Sequence, residues 1–362
     1  MTSPSSAFST SYAQARHKFL QAAESAQLKV ESHYHPLPGR DGESLAMDVV
    51  RDGPADAQHL LVLSSACHGV EGYCGSGVQV HALGQRAWRE AAQQAGVAVL
   101  YIHALNPYGF SHIRRVTHEN VDINRNFHNF NQPLPVNTAY REVQPLLLPE
   151  VWPPDADNTA QVTAFIAERG MPALQAAVSG GQHEFADGLF FGGRGPTWSN
   201  LTLRQVLREH GRRCSRLAWI DVHTGLGPSG LGERIFACAD DAAALGRARS
   251  WWGDQLTSIY DGSSTSAFLT GLMWMAAYEE CAQAEYTGMA MEYGTVPMNQ
   301  VLHALRGDHW LALHPEAAPA LRQQIKQELM NAFYVDTDEW RSQILAQGME
   351  ALHQSVSGLA QG

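Results

Sequence analysis

Short apolar runs alternate with stretches of helical periodicity along this chain. Residues 60–65, 97–104, 217–222 and 289–293 are nearly all apolar and read as buried strands. Residues 78–95, 160–168 and 203–210 lie between them and carry helical periodicity. Apolar strands separated by helices predict an α/β domain with a mostly parallel sheet covered on both faces. Residues 29–34 and 45–51 alternate, with the turn Gly39-Arg40-Asp41-Gly42 between them, and predict an edge hairpin. An amphipathic helix is expected over 13–26, and C-terminal helices over 316–333 and 337–353.

Two segments break the pattern. Residues 129–157 are proline-rich and read as a long loop. Residues 179–200 are rich in glycine and aromatics, from Gly180-Gly181-Gln182-His183 to Phe190-Phe191-Gly192-Gly193. Long irregular segments inside a compact domain are often functional. No repeat or linker divides the sequence, so residues 1–362 are expected to form one catalytic domain, with a helix and hairpin before its core and a helical extension after it.

Composition narrows the class of partner. The formal net charge of −11 disfavours nucleic acid and anionic membrane surfaces. No apolar run approaches the ~18 residues of a membrane span. The polar start, residues 1–6, lacks a basic segment followed by an apolar core, so no secretory signal is expected. Five scattered cysteines read as free thiols in a reducing compartment, which points to the cytoplasm. The pattern sets no oligomeric state.

The chemistry concentrates where strands end. The first buried strand runs into Cys67-His68-Gly69-Val70-Glu71-Gly72, placing an imidazole and a carboxylate on one turn. The strand Trp219-Ile220-Asp221-Val222 ends in His223-Thr224-Gly225. Sites in open α/β sheets form at the carboxyl ends of strands, so His68, Glu71 and His223 are expected to converge. Two imidazoles and one carboxylate leave a fourth position open, as in catalytic zinc sites. Asp221 stands where it can orient a ligand imidazole. Glu292 interrupts the apolar run Met289-Ala290-Met291-Glu292-Tyr293. A buried carboxylate needs a partner or a task, and near zinc that task is general base and then general acid. The segment from Asn106-Pro107-Tyr108-Gly109 through Arg114-Arg115 to Asp122-Ile123-Asn124-Arg125-Asn126-Phe127 joins arginines to asparagine amides. An arginine fork beside an amide suits a substrate carboxylate, and a second arginine suits a developing oxyanion.

These pieces together resemble the zinc carboxypeptidase superfamily (M14-like metallopeptidases). Its pattern is His-x-x-Glu after a strand, Asn-Pro-x-Gly, an arginine followed by Asp-x-Asn-Arg-Asn-Phe, a later lone histidine, and a glutamate near the end. All occur here in that order, over roughly residues 60–295. The resemblance implies a three-layer α/β/α sandwich with a central mixed, mostly parallel sheet. It implies one Zn2+ per chain held by His68, Glu71 and His223. It gives Asn124 and Arg125 the substrate carboxylate, Arg115 the oxyanion and Glu292 the proton transfers. Asp-Val-His-Thr-Gly and Met-Glu-Tyr-Gly are closer to the succinylglutamate desuccinylase and aspartoacylase branch. The stretch from Gly181-Gln182-His183-Glu184 to Trp198-Ser199-Asn200 resembles the DUF2817 subgroup.

The implied activity is hydrolysis of an amide bond beside a free carboxylate. Its substrate is a peptide in a carboxypeptidase or an N-acyl amino acid in a deacylase, and a zinc-stabilised binding protein without turnover is the non-enzymatic alternative. Neither a Gly-x-Ser-x-Gly elbow nor a Gly-x-x-x-x-Gly-Lys loop is present, which disfavours the common serine and nucleotide hydrolases. Cys67 reads as a packed thiol. His183-Glu184-Phe185-Ala186-Asp187 reads as a structural or substrate-facing loop rather than a second metal site. Tyr278, Tyr286 and Tyr293 are candidates for the tyrosine that caps the substrate in carboxypeptidases.

Overall fold

The structure, a computed structural model, describes residues 4–361; residues 1–3 of the polar start and Gly362 lie outside them. Seven strands form one sheet: β1 (Val30–Pro38), β2 (Ser44–Asp52), β3 (His59–Ser64), β4 (Val97–His103), β5 (Arg216–Ser229), β6 (Gly232–Phe236) and β7 (Glu285–Gly294). Their spatial order is β1-β2-β4-β3-β5-β7-β6. The central strands β4, β3, β5 and β7 are mutually parallel. The hairpin β1–β2 joins antiparallel at one side and β6 joins antiparallel at the other. The sheet is therefore mixed with a parallel centre, as the apolar runs predict.

Strand alternation shows that both faces are covered. Gly75, on the helix Gly72–Gly84, packs against Val222 of β5. Gly211, closing the helix Trp198–His210, packs against Leu217. Val222 and Leu217 are an odd number of residues apart on one strand and point to opposite faces. The two helices therefore lie on opposite sides of the sheet, the α/β/α arrangement. The helices Tyr12–Ser25 and Asp338–Ala360 pack with Gly72–Gly84 in the first layer. No helix among the described residues is long and apolar enough to cross a membrane.

Three local expectations change. The predicted helix over 78–95 is two helices, Gly72–Gly84 and Arg86–Gln94, broken at Gln85, whose ψ of 88° is not helical. The proline-rich 129–157 segment contains the helix Thr138–Leu147, capped by Asn137, with Pro145 inside it. The glycine-rich 179–200 segment begins at the end of the helix Met171–Ser179, stays irregular, and turns helical at Trp198.

Register places the chemistry. Ser64 pairs with Asp221, and His223 pairs with Glu292. The parallel strands thus bring their carboxyl ends, and these side chains, to one edge.

Candidate metal centre

Beyond Ser64 the chain turns through Ala66, which adopts a positive φ of 58°. His68 then opens a short 3-10 turn, Gly69–Glu71, that runs directly into the helix Gly72–Gly84. The turn is tied to a neighbouring segment: Gly69 N donates to Arg115 O at 3.0 Å and Val70 N to Arg114 O at 2.9 Å. A Cβ at Gly69 would overlap the backbone of Gly109, so the His-x-x-Glu and Asn-Pro-x-Gly turns need their glycines to pack together.

The structure brings His68, Glu71 and His223 together. All three are buried, and one ligand atom from each lies within 4.8 Å of the others. Glu71 stands between the imidazoles: Oε1 is 2.8 Å from His68 Nδ1 and Oε2 is 2.9 Å from His223 Nδ1. The opposite ring nitrogens face other carboxylates. His223 Nε2 is 2.5 Å from Asp221 Oδ2, and His68 Nε2 is 3.4 Å from Asp122 Oδ1. Beside Asp221 the Nε2 of His223 stays protonated and its Nδ1 lone pair turns toward a metal, and Nδ1 of His68 faces the same point. Two such imidazoles and one carboxylate, buried together, form a donor set that fits zinc.

Burial and mutual charge set the ionisation here. Burial opposes a charged Glu71, but His68 and His223 outweigh it and lower the carboxyl to about 2. Burial also opposes a charged His223, yet Asp221 and Glu71 push its pKa well above the ordinary value. Asp122 is buried too; Arg115, His68 and Arg125 hold it well below the carboxylate range. Glu292 goes the other way: burial, then the charge of Glu71, raises it to about 8. Its Oε1 accepts a hydrogen bond from Leu226 N at 3.0 Å. This set makes one group an acceptor and another a proton carrier.

Arg115, Asn124, Arg125 and Glu292 line one cavity of about 150 Å³ with His68, Glu71 and His223. Arg115 reaches the ligand cluster itself. Its Nε donates to Asp122 at 2.9 Å and its Nη1 to Glu71 at 3.3 Å, and its Nη2 lies 2.7 Å from His68 Nε2. His68 Nε2 therefore has a donor and an acceptor as neighbours. A proton on Nε2 favours Asp122 and frees Nδ1 for a cation; a proton on Nδ1 favours Arg115. Arg125 is 3% exposed. It donates to Ser179 O from Nε and Nη2, and to Asn124 O from Nη1. Among the described residues no carboxylate lies within 4.0 Å of it. Burial outweighs the attraction of Asp122 and lowers its pKa to about 10. Asn124 accepts a hydrogen bond from Met273 N at 2.9 Å, which fixes its side chain at the cavity wall.

Other candidates sort cleanly. Cys67 lies beside Asp221 and His223, but burial, reinforced by the nearby carboxylates, raises its thiol well above its ordinary value. A neutral thiol is a poor ligand. All five cysteines are free and buried. His183 contacts Gly193 O through Nδ1, while Glu184 pairs with Arg141 at the surface, so the two do not share a ligand position. Of the three tyrosines only Tyr286 lines the cavity, and its hydroxyl donates to Ala237 O. Tyr278 holds Ala239 N, and Tyr293 is buried with its hydroxyl on Ile344 O. The sequence analysis assigned no role in the site to Asp122 or to Phe190. The first is readable from its place two residues before Asn124; nothing in the sequence marks the second.

Comparison with solved structures places the fold. The carboxypeptidase A of Helicoverpa armigera aligns with a TM-score of 0.51 at 12% identity, over 97% of this chain and 73% of that chain. Bovine thrombin-activatable fibrinolysis inhibitor, solved with tick carboxypeptidase inhibitor, aligns with a TM-score of 0.50 at 9% identity, over 97% of each chain. At these identities the likeness is one of fold. No curated protein matches the sequence. The family model described as "Protein of unknown function (DUF2817)" matches residues 8–347, and the chain belongs to that family.

Proposed function

We propose that this protein is a zinc-dependent hydrolase that cleaves an amide bond next to a free carboxylate. One observation carries the reading: Arg125 is a buried guanidinium with no carboxylate within 4.0 Å among the described residues, in the same cavity as a buried two-histidine, one-carboxylate cluster. A buried charge without a counter-ion is costly unless a ligand supplies one. The missing partner is an anion delivered by the substrate, within reach of the chemistry.

His68, Glu71 and His223 would hold the zinc. When bound, zinc would supply Lewis acidity at the scissile carbonyl and acidify water. Arg125 uses its uncommitted N–H groups, with the Asn124 amide beside them, to fix the substrate carboxylate. Glu292 keeps one oxygen on Leu226 N and uses the other to take a proton from water. It then returns that proton to the departing nitrogen. Arg115 donates to the oxygen on which negative charge develops. Asp221 holds the Nε2 proton of His223 throughout, and Asp122 receives that of His68 when its Nδ1 faces the zinc.

The substrate is a peptide C-terminus or a small N-acyl amino acid. Peptides with free and amidated C-termini, assayed beside N-acyl amino acids, test this. Hydrolysis is expected only where a free carboxylate adjoins the amide. Equal cleavage of amidated peptides would sink the proposed clamp, and activity on acyl amino acids alone would assign a deacylase.

A further inference from the structure

The ring of Phe190 is a shared support for the two cavity arginines. The Arg115 guanidinium carbon lies 4.9 Å from the ring centroid and that of Arg125 lies 5.8 Å from it. Phe190 is buried and lines the same cavity as His68, Glu71 and Glu292. Its backbone φ is +53°, in the left-handed region that a bulky residue rarely enters.

The loop around Phe190 enforces this conformation. Phe190 O accepts from Gln182 N at 3.1 Å, and Phe191 O accepts from Asp122 N at 2.8 Å. Asn120 donates to Ala186 O and Gly188 O, and Asn126 to Gly192 O and Gly195 O. The loop is thus a wall pinned to the segment that carries Asp122, Asn124 and Arg125. An unfavourable backbone state held by so many partners, at a cavity wall, points to a task for the side chain.

The task follows from charge. Arg115 and Arg125 carry like charges and repel each other across the cavity wall. The negative face of an aromatic ring attracts a guanidinium, most strongly where water is absent. A flat, rigid ring also fills the space through which both side chains otherwise swing. Arg125, bound only to carbonyl oxygens, gains in the ring a partner that consumes none of its remaining N–H groups.

We infer that Phe190 is the positioning residue for this arginine pair. It holds the two guanidiniums at a fixed separation, so that one substrate meets Arg125 with its carboxylate and Arg115 with its reacting carbonyl. The naming of those substrate groups rests on the hydrolase reading above; the ring–guanidinium geometry does not.

The test compares Phe190→Leu, Phe190→Gly and Phe190→Tyr in the zinc-loaded full chain. Leucine keeps apolar volume without a π face. Glycine suits the positive φ and keeps the loop backbone while removing the ring. With benzoylglycyl-phenylalanine as substrate, Leu and Gly are expected to raise KM and lower kcat by about tenfold each, at unchanged zinc content. Tyr is expected to stay within roughly threefold of the native chain, since it keeps the π face. A Leu variant equal to the native chain means that Phe190 only fills space, and the inference falls. If the native chain does not cleave this substrate, the hydrolase reading is tested by the substrate panel above and the positioning claim by mobility. Nuclear relaxation of the Arg115 and Arg125 Nε–Hε groups then decides: increased mobility of both in Phe190→Leu supports positioning, and unchanged mobility overturns it.

Discussion

Asp221 Oδ2 lies 2.5 Å from His223 Nε2, and the same carboxylate accepts from Ser64 Oγ at 2.5 Å through Oδ1. Ser64 Oγ in turn accepts from Trp219 Nε1 at 2.7 Å. This chain crosses from β3 to β5 inside the core and fixes which nitrogen of His223 is protonated. It keeps Nδ1 directed at Glu71. Asp221→Asn is predicted to weaken zinc binding by about 10–100-fold. Competition with a chromophoric chelator measures this, and an unchanged affinity would show that Asp221 does not set the tautomer.

Glu292 is the proposed proton carrier. Glu292→Gln keeps the shape and the hydrogen bond to Leu226 N but cannot take a proton. It is predicted to lower kcat by about 10²–10⁴-fold while zinc stays stoichiometric. Steady-state kinetics beside metal analysis checks both halves, and a variant retaining full activity removes Glu292 from the chemistry.

Arg125→Met keeps most of the buried stem and deletes the charge. Losing one side of a buried, hydrogen-bonded ion pair costs about 2 kcal/mol or more, roughly 30-fold in affinity. KM for carboxylate substrates is expected to rise by at least about that factor. Binding of an amidated analogue is expected to stay the same. A parallel loss for both ligands would assign Arg125 to the wall rather than to the carboxylate.

The cluster also gives the chelator-treated protein a defined pH response. Burial and Glu71 raise Glu292 from 4.5 to about 8. Against burial, Asp221 and Glu71 raise His223 above 6.5. Groups whose folded pKa is raised stabilise the fold fully below their unfolded values, and that stability is lost as pH rises through the folded values. Glu71, lowered to about 2, acts oppositely: its contribution is present above 4.5 and is lost as pH falls toward 2. Tm without metal is therefore predicted to fall as pH rises from about 4.5 to 8, the span of the Glu292 shift, with His223 adding to the fall above 6.5. Glu292→Gln should flatten part of that slope. Scanning calorimetry across that range tests this, and a level or rising Tm contradicts it.

Much of the fold was readable because the parallel strands are buried on both sides. The runs that became β3, β4, β5 and β7 are nearly all apolar, and their carboxyl ends carry His68, His223 and Glu292. The strand β6, Gly-Glu-Arg-Ile-Phe, escaped because two charged residues interrupt so short a run. The helix Thr138–Leu147 escaped because Pro145 and the flanking prolines read as loop. Within the site, ligand spacing is local and visible, as in His68 and Glu71. The support given by Phe190 to Arg115 and Arg125 joins residues far apart in sequence through ring geometry, which no linear pattern encodes. The engagement of Arg115 with His68 and Glu71 was hidden for the same reason.

His68, Glu71 and His223 are proposed to build one metal centre. Elemental analysis of the purified protein, beside His68→Ala and His223→Ala, tests it most directly. One zinc per native chain is expected, with loss of that zinc in both variants and loss of hydrolysis with it. A native chain without stoichiometric metal, or a His68→Ala variant that still hydrolyses substrate, would contradict it.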